Sequence, residues 1–227
     1  MLSAWEGELD RACLSRSQHP VFVALIETIE RFRLPVQLFH DLLTAFRSDV
    51  TTRRYETFEE VLAYCRCSAN PVGRLLLRLF EYDARGLDER SDDICTALQL
   101  ANFWQDLTID LAKNRVYIPL EDLRRFAYPI DQLFGHAYNE RFVAVLRHQI
   151  QRTRQLFQRG RPLCDLVEGR LSLELRAVWL GGMRILEKIE RSRYHVFRAR
   201  PAITLADKGA LLGKLLTWSH GAEACRP

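Results

Sequence analysis

Apolar residues along this chain recur at helical spacing, and no segment alternates with period two for long enough to make a strand. Pro20 opens a predicted helix carrying Val21, Val23, Leu25, Ile26 and Ile29, which closes before Pro35. Residues 36–47 form a second helix. Thr57-Phe-Glu-Glu60 reads as a capping box with Thr57 at the N-cap, and it starts a long helix to about Phe80, disturbed at Pro71-Val-Gly73. Ser91-Asp92-Asp93 starts another, its acids favourable to the helix dipole. Pro119 ends the turn that follows it. Residues 137–158 and 166–197 give two more long helices, and 204–218 a last amphipathic one. There is no repeat, low-complexity segment or linker, so the pattern predicts an all-α chain of one domain over residues 1–227.

The residues from Gln99 to Asp110 interrupt this apolar pattern in an ordered way. Gln99, Asn102, Asp106 and Asp110 fall within an arc of roughly 80° on a helix turning by about 100° per residue. Phe103, Trp104, Leu107, Ile109 and Leu111 flank them. The expectation is a buried polar groove, and an uncompensated carboxylate facing a core is expensive. A divalent cation is one compensation. Mg²⁺ prefers oxygen ligands and is commonly held by one or two carboxylates plus substrate phosphates.

A second polar line runs through Tyr64-Cys-Arg-Cys-Ser68-Ala-Asn70-Pro-Val-Gly73-Arg74. Ser68, Ala69 and Gly73 are small enough for close approach of a ligand or another helix, and Pro71 removes a helical donor. Tyr64 and Asn70 read either as satisfied core groups or as cavity-lining ones; Arg74 reads as a surface charge or a diphosphate contact. Beyond the stripe, Arg115 lies off its line and has to reach back from the helix end or the loop. Asp49 follows the second helix and reads as a helix-end or loop residue.

Charge and cysteine content narrow the partners. Lys and Arg number 33 against 29 acids, for a net charge of +4, which suits an anionic substrate or an anionic membrane surface. The arginines are scattered rather than massed on one stripe, which argues against nucleic acid. The cysteines at 13, 65, 67, 95, 164 and 225 form no Cys-x-x-Cys pair and have no His at ligand spacing, so they read as thiols in a reducing compartment. The start is acidic with no apolar core, and no apolar run approaches the ~20 residues of a bilayer span. The expected location is cytoplasmic, with peripheral contact at the inner face of the cytoplasmic membrane as an option. The helix from Ala206 to Trp218, with Lys208 and Lys214, is the segment that would make it, the alternative being an ordinary core helix.

Together these motifs resemble the squalene/phytoene synthases. The segments that carry the resemblance are Tyr64-Cys65, Ser68-Ala-Asn-Pro-Val-Gly-Arg74, Ala97-Leu-Gln-Leu-Ala-Asn-Phe-Trp-Gln-Asp106, Asp110 and Arg115-Val-Tyr-Ile-Pro119. Most of that family has Ala-Gly-x-Val-Gly where this chain has Ala-Asn-Pro-Val-Gly. With Asn-Phe-Trp-Gln-Asp, this variant is similar to the hydroxysqualene synthase branch of bacterial hopanoid biosynthesis. The resemblance implies an isoprenoid-synthase-type helical bundle around a central cavity. It also implies Mg²⁺-dependent loss of diphosphate from presqualene diphosphate and capture of water to give hydroxysqualene. Alternatives are a head-to-head prenyl synthase making presqualene diphosphate, squalene or phytoene, and a non-catalytic binding or assembly module.

Carried over by motif, Asp106 and Asp110 hold the metal, while Gln99, Asn102, Arg74, Arg115 and Tyr117 contact the prenyl diphosphate. Tyr64 lies near the cation, Asp49 matches an Asp of the preceding loop, and Asn70 is the assigned water-holding residue. The family's first Asp-x-x-x-Asp motif has no match, so the chain reads as a member lacking the first helices. Glu6 with Asp10, and Asp88 with Asp92, have that spacing but the wrong neighbours and read as surface charge.

Overall fold

The computed structural model describes residues 2–14 and 17–219. Cys225 lies outside these. The described residues contain helices and a single isolated parallel bridge, between Arg54 and Val116. In chain order the helices are α1 (Leu2–Cys13), α2 (Pro20–Phe32), α3 (Val36–Thr51), α4 (Phe58–Ser68), α5 (Asn70–Leu79), α6 (Arg85–Gln105) and α7 (Leu107–Ala112). There follow α8 (Leu120–Arg125), α9 (Ile130–Phe134), α10 (Glu140–Gly160), α11 (Leu163–Leu166), α12 (Gly169–Arg191) and α13 (Leu205–Leu216).

Helix α6 is the axis of the bundle, with α10, α5, α12 and α4 packed around it. Its buried face presents Ala97, Leu100, Phe103 and Trp104 to Phe142, Leu146, Ile150 and Phe157 of α10 and its neighbours. Trp104 is fully buried, and its indole N–H donates to Thr153 Oγ1 at 2.8 Å, so the large ring enters the core without an orphaned donor. Three glycines set the helix spacing: a Cβ on Gly160 of α10 would collide with Ile94 and the Arg90 carbonyl of α6. A Cβ on Gly73 would collide with Ser91 and Cys95 of α6, and one on Gly182 would collide with the Phe157 ring. The Ser-Ala-Asn-Pro-Val-Gly segment is thus in part a tight helix crossing.

Several boundaries differ from expectation. The helix predicted from Ser91 begins at Arg85, and Ser91 is buried against α5 rather than capping anything. The helix predicted from Thr57 is two helices, broken at Ala69, with Pro71 in the first turn of the second, where its missing N–H costs nothing. Thr57 caps α4 by accepting from the Glu60 N–H, but the Glu60 carboxylate accepts from the Glu56 N–H instead of from Thr57, so the box is half made. A complete capping box stands at Thr204 and Asp207. The stretch 166–197 resolves into α11, α12 and a turn in which Arg193 and Tyr194 are both left-handed.

The acids read as surface charge are structural. Asp88 and Asp92 are half-buried and paired with Arg78 and Arg74, which zips α6 to α5. Glu6 pairs with Arg47 and ties α1 to α3; Asp10 is exposed and 3.4 Å from His40.

Candidate active site

The polar stripe survives a break in its helix. At Asp106 the backbone leaves helical geometry (φ −98°, ψ 14°), which separates α6 from α7. The hydrogen-bond ladder nevertheless continues, from the Asp106 N–H to Asn102 O at 2.8 Å and from the Asp110 N–H to Asp106 O at 3.0 Å. Both carboxylates therefore stay on the side that carries Gln99 and Asn102. The expected burial is not found. Asn102 is exposed, and Gln99, Asp106 and Asp110 are half-buried. The core claims the opposite face of α6, through Ala97, Leu100 and Trp104, and the stripe runs along its edge as an open wall.

Asp110 carries the electrostatic signature of the wall. Burial, with a further contribution from the neighbouring Asp106 charge, pushes its carboxyl up to about 6 against the partial opposition of Lys113 and Arg115. Asp106 is engaged by the Arg200 guanidinium, which arrives on the segment after α12; Gln105 Nε2 donates to Pro201 O at 2.5 Å and fixes that segment to the end of α6. Arg200 was not legible as a site residue, because it lies 94 positions from Asp106 and no local motif marks it.

Arg115 does reach back. A left-handed residue, Asn114 (φ 57°), turns the chain after α7, and the Arg115 N–H bonds Asp110 O at 2.8 Å. Its Nη2 donates to the backbone carbonyl of Asp49 at 2.8 Å, while its buried Nε has no partner. Asp49, in the last turn of α3, accepts from the Tyr64 hydroxyl at 2.8 Å. Burial, then this hydrogen bond, holds the Tyr64 phenol far above its ordinary range, so it stays neutral. Tyr117 stacks on Phe103 at 3.7 Å between centroids, nearly parallel at 4°. Tyr64 and Tyr55 each lie within 6 Å of the Tyr117 ring. Four aromatic rings thus line the wall beside the carboxylates, and a cleft of about 320 Å³ opens past Tyr55 and Tyr64 between α3 and α4.

The α5 residues sit elsewhere. Asp92, the partner of Arg74, precedes Asp106 by 14 residues, or roughly 21 Å of helix at 1.5 Å per residue. Arg74 is thus held by Asp92 and lies away from Asp106 and Asp110. Asn70 is buried and accepts from Thr96 Oγ1 at 2.9 Å.

Mg²⁺ suits this donor set: two half-buried carboxylates one turn apart, with the Asp110 carboxyl raised by burial and then by the Asp106 charge, and amide oxygens continuing the line. Among the described residues no cluster of three or more His, Cys, Asp or Glu is available to a metal.

The site thus combines, in an all-α bundle, a carboxylate pair at a helix break with a wall of aromatic rings. Comparison with known proteins narrows this. The squalene/phytoene synthase family model matches residues 1–207. Hydroxysqualene synthase of Rhodopseudomonas palustris is 34% identical over 222 residues, covering 94% of this chain and 75% of that protein. Phytoene synthase of Arthrospira platensis is 32% identical over 216 residues, covering 88% of this chain and 69% of that one. The crystal structure of squalene synthase HpnC from Alicyclobacillus acidocaldarius superposes with a TM-score of 0.83 at 39% identity, covering 85% of this chain and 73% of that one. The chain belongs to the squalene/phytoene synthase family.

Proposed function

We propose that this chain converts presqualene diphosphate to hydroxysqualene, with Mg²⁺, by loss of diphosphate and capture of water. The observation that carries the reading is the placement of the Asp106 and Asp110 pair beside the Tyr64, Phe103 and Tyr117 rings. Charge to hold a leaving diphosphate and π-faces to hold the cation it leaves behind meet on one wall. The identity to hydroxysqualene synthase and the Ala69-Asn-Pro-Val-Gly73 variant support this branch. The identity to phytoene synthase supports the alternative, condensation of two prenyl diphosphates head to head.

Asp106 and Asp110 are the residues that would hold Mg²⁺, with the Gln99 and Asn102 amides on the same line of the helix. A cation held there would supply Lewis-acid neutralisation of a leaving diphosphate. Arg115, turned back toward Asp110 by the loop after α7, adds hydrogen bonds to phosphate oxygens. Tyr64, kept neutral, offers its ring rather than a phenolate to the cation; such contacts are worth about 0.5–2 kcal/mol each. Tyr117 is fixed by stacking on Phe103 and presents the neighbouring face.

Among the described residues no helix is long and apolar enough to cross a membrane. Peripheral membrane contact is proposed for the outer face of α13, where Leu205, Leu212 and Leu216 are exposed on one side of the helix with Lys208 beside them.

The test is diphosphate release from presqualene diphosphate, with farnesyl diphosphate as the competing substrate. Release from presqualene diphosphate that stops with EDTA and in Asp106→Ala supports the reading. Release from farnesyl diphosphate alone would move the assignment to the condensing branch, and release from neither would favour a binding module.

A further inference from the structure

Three polar side chains gather where α4 breaks into α5: Ser68 at the end of α4, Asn70 at the start of α5, and Thr96 facing them from α6. Two of them satisfy each other, since the Thr96 hydroxyl donates to Asn70 Oδ1 at 2.9 Å and both residues are buried. The third is alone. Ser68 Oγ is inaccessible to solvent and has no hydrogen-bond partner. Buried hydroxyls are nearly always paired, so an orphaned one marks a place where something else binds. Serine at a helix end ordinarily bonds back to its own helix, and this one does not.

Its position ties it to the site. Ser68 is one helical turn beyond Tyr64 and so shares its face of α4. The helices run antiparallel here, with Tyr64 beside Phe103 and Asn70 beside Thr96. Ser68 therefore lies level with the turn of α6 that carries Gln99, one helical turn along α4 from the aromatic wall.

We infer that Ser68, rather than Asn70, holds the water that captures the carbocation, and so decides between an alcohol and a hydrocarbon product. The inference rests on the reaction proposed above. In that reaction the bond from carbon to the diphosphate oxygen breaks and the electron pair leaves with diphosphate. A water whose proton is held by Ser68 Oγ gives a lone pair to the cationic carbon, and a new carbon–oxygen bond forms. The extra proton passes to the departed diphosphate, and no reductant is consumed. Without that water the cation loses a proton from a neighbouring carbon and becomes an alkene. Asn70 serves as a positioning residue, its amide locked by Thr96 so that the break in the helix keeps its shape.

The test uses Ser68→Ala and Ser68→Thr in the full chain, with presqualene diphosphate and Mg²⁺, reading diphosphate release and lipid products separately. In Ser68→Ala the alcohol-to-hydrocarbon ratio falls about tenfold while diphosphate release stays within about threefold, as the loss of one hydrogen bond predicts. Ser68→Thr keeps the hydroxyl and most of the alcohol. An unchanged ratio in Ser68→Ala overturns the inference.

A second arm needs no turnover. Binding of hydroxysqualene and of squalene is followed by quenching of tryptophan fluorescence. The unmodified chain prefers the alcohol, and Ser68→Ala loses that preference; equal preference in both overturns the inference. If the unmodified chain releases no diphosphate, the proposed reaction fails, and the binding arm still decides the role of Ser68.

Discussion

At the scale of single residues, Asp110 is where burial and charge are most at odds. Its carboxyl, raised to about 6, binds a proton more tightly in the folded chain than in the unfolded one. The charged form therefore costs stability above pH 6, and that cost disappears as the pH falls below the unfolded value near 4. Asp110→Asn should stabilise the metal-free chain at pH 7.5 by roughly 1 kcal/mol, after allowance for solvent screening of a half-buried group. The gain should vanish by about pH 4, as followed by thermal unfolding across pH. Tyr64 gives the complementary case. Tyr64→Phe keeps the ring among Tyr55, Phe103 and Tyr117 but strips Asp49 of its 2.8 Å hydrogen bond. Urea unfolding should register a loss of roughly 1 kcal/mol, while any activity resting on the aromatic face survives largely intact. A large loss of activity with unchanged stability would assign the hydroxyl, not the ring, to the chemistry.

At the scale of elements, the bundle depends on crossings that only small residues allow. Gly73→Ala drives a methyl into Ser91 and Cys95, both on a helix fixed by the Asp92 and Asp88 pairs with Arg74 and Arg78. The expected loss is about 2 kcal/mol, measured by denaturant unfolding, because neither helix can move aside without breaking those pairs. Asp207 anchors α13. It is buried, accepts from Thr204, Arg184 and Lys188, and is held well below the usual carboxylate range by Lys188 foremost. Asp207→Asn should raise amide exchange across residues 205–216 with little effect on α6, and exchange that rose equally in both would show α13 to be part of the central core.

These elements also show how far the sequence could be read. The all-α class, the N-cap at Thr57 and the interruption near Pro71 follow from local rules, because caps and proline act within one turn. The start of α6 did not, since acids at Asp88 and at Asp92 both suit a first turn and only tertiary pairing with Arg78 and Arg74 explains them. The kink at Asp106 was hidden because an uninterrupted helical period runs through it. Arg200 and Thr96 were illegible for the same reason, as their partners are distant in sequence.

At the scale of the whole molecule, one wall joins the end of α3, the face of α4, the break between α6 and α7 and the loop after α7. Its parts come from residues 49 to 117, and the remaining helices serve chiefly to fix α6. Among the described residues α6 packs against α4, α5, α7, α10, α11 and α12, so the carboxylates at its end are placed by that core. In the proposed reaction this wall turns a prenyl diphosphate into an alcohol. Its most direct test is mass spectrometry of the lipids extracted after the purified chain meets presqualene diphosphate and Mg²⁺, with Asp106→Ala alongside. The account predicts hydroxysqualene from the unmodified chain and none from the variant. Squalene or phytoene formed from simple prenyl diphosphates, or hydroxysqualene formed equally well by Asp106→Ala, would contradict it.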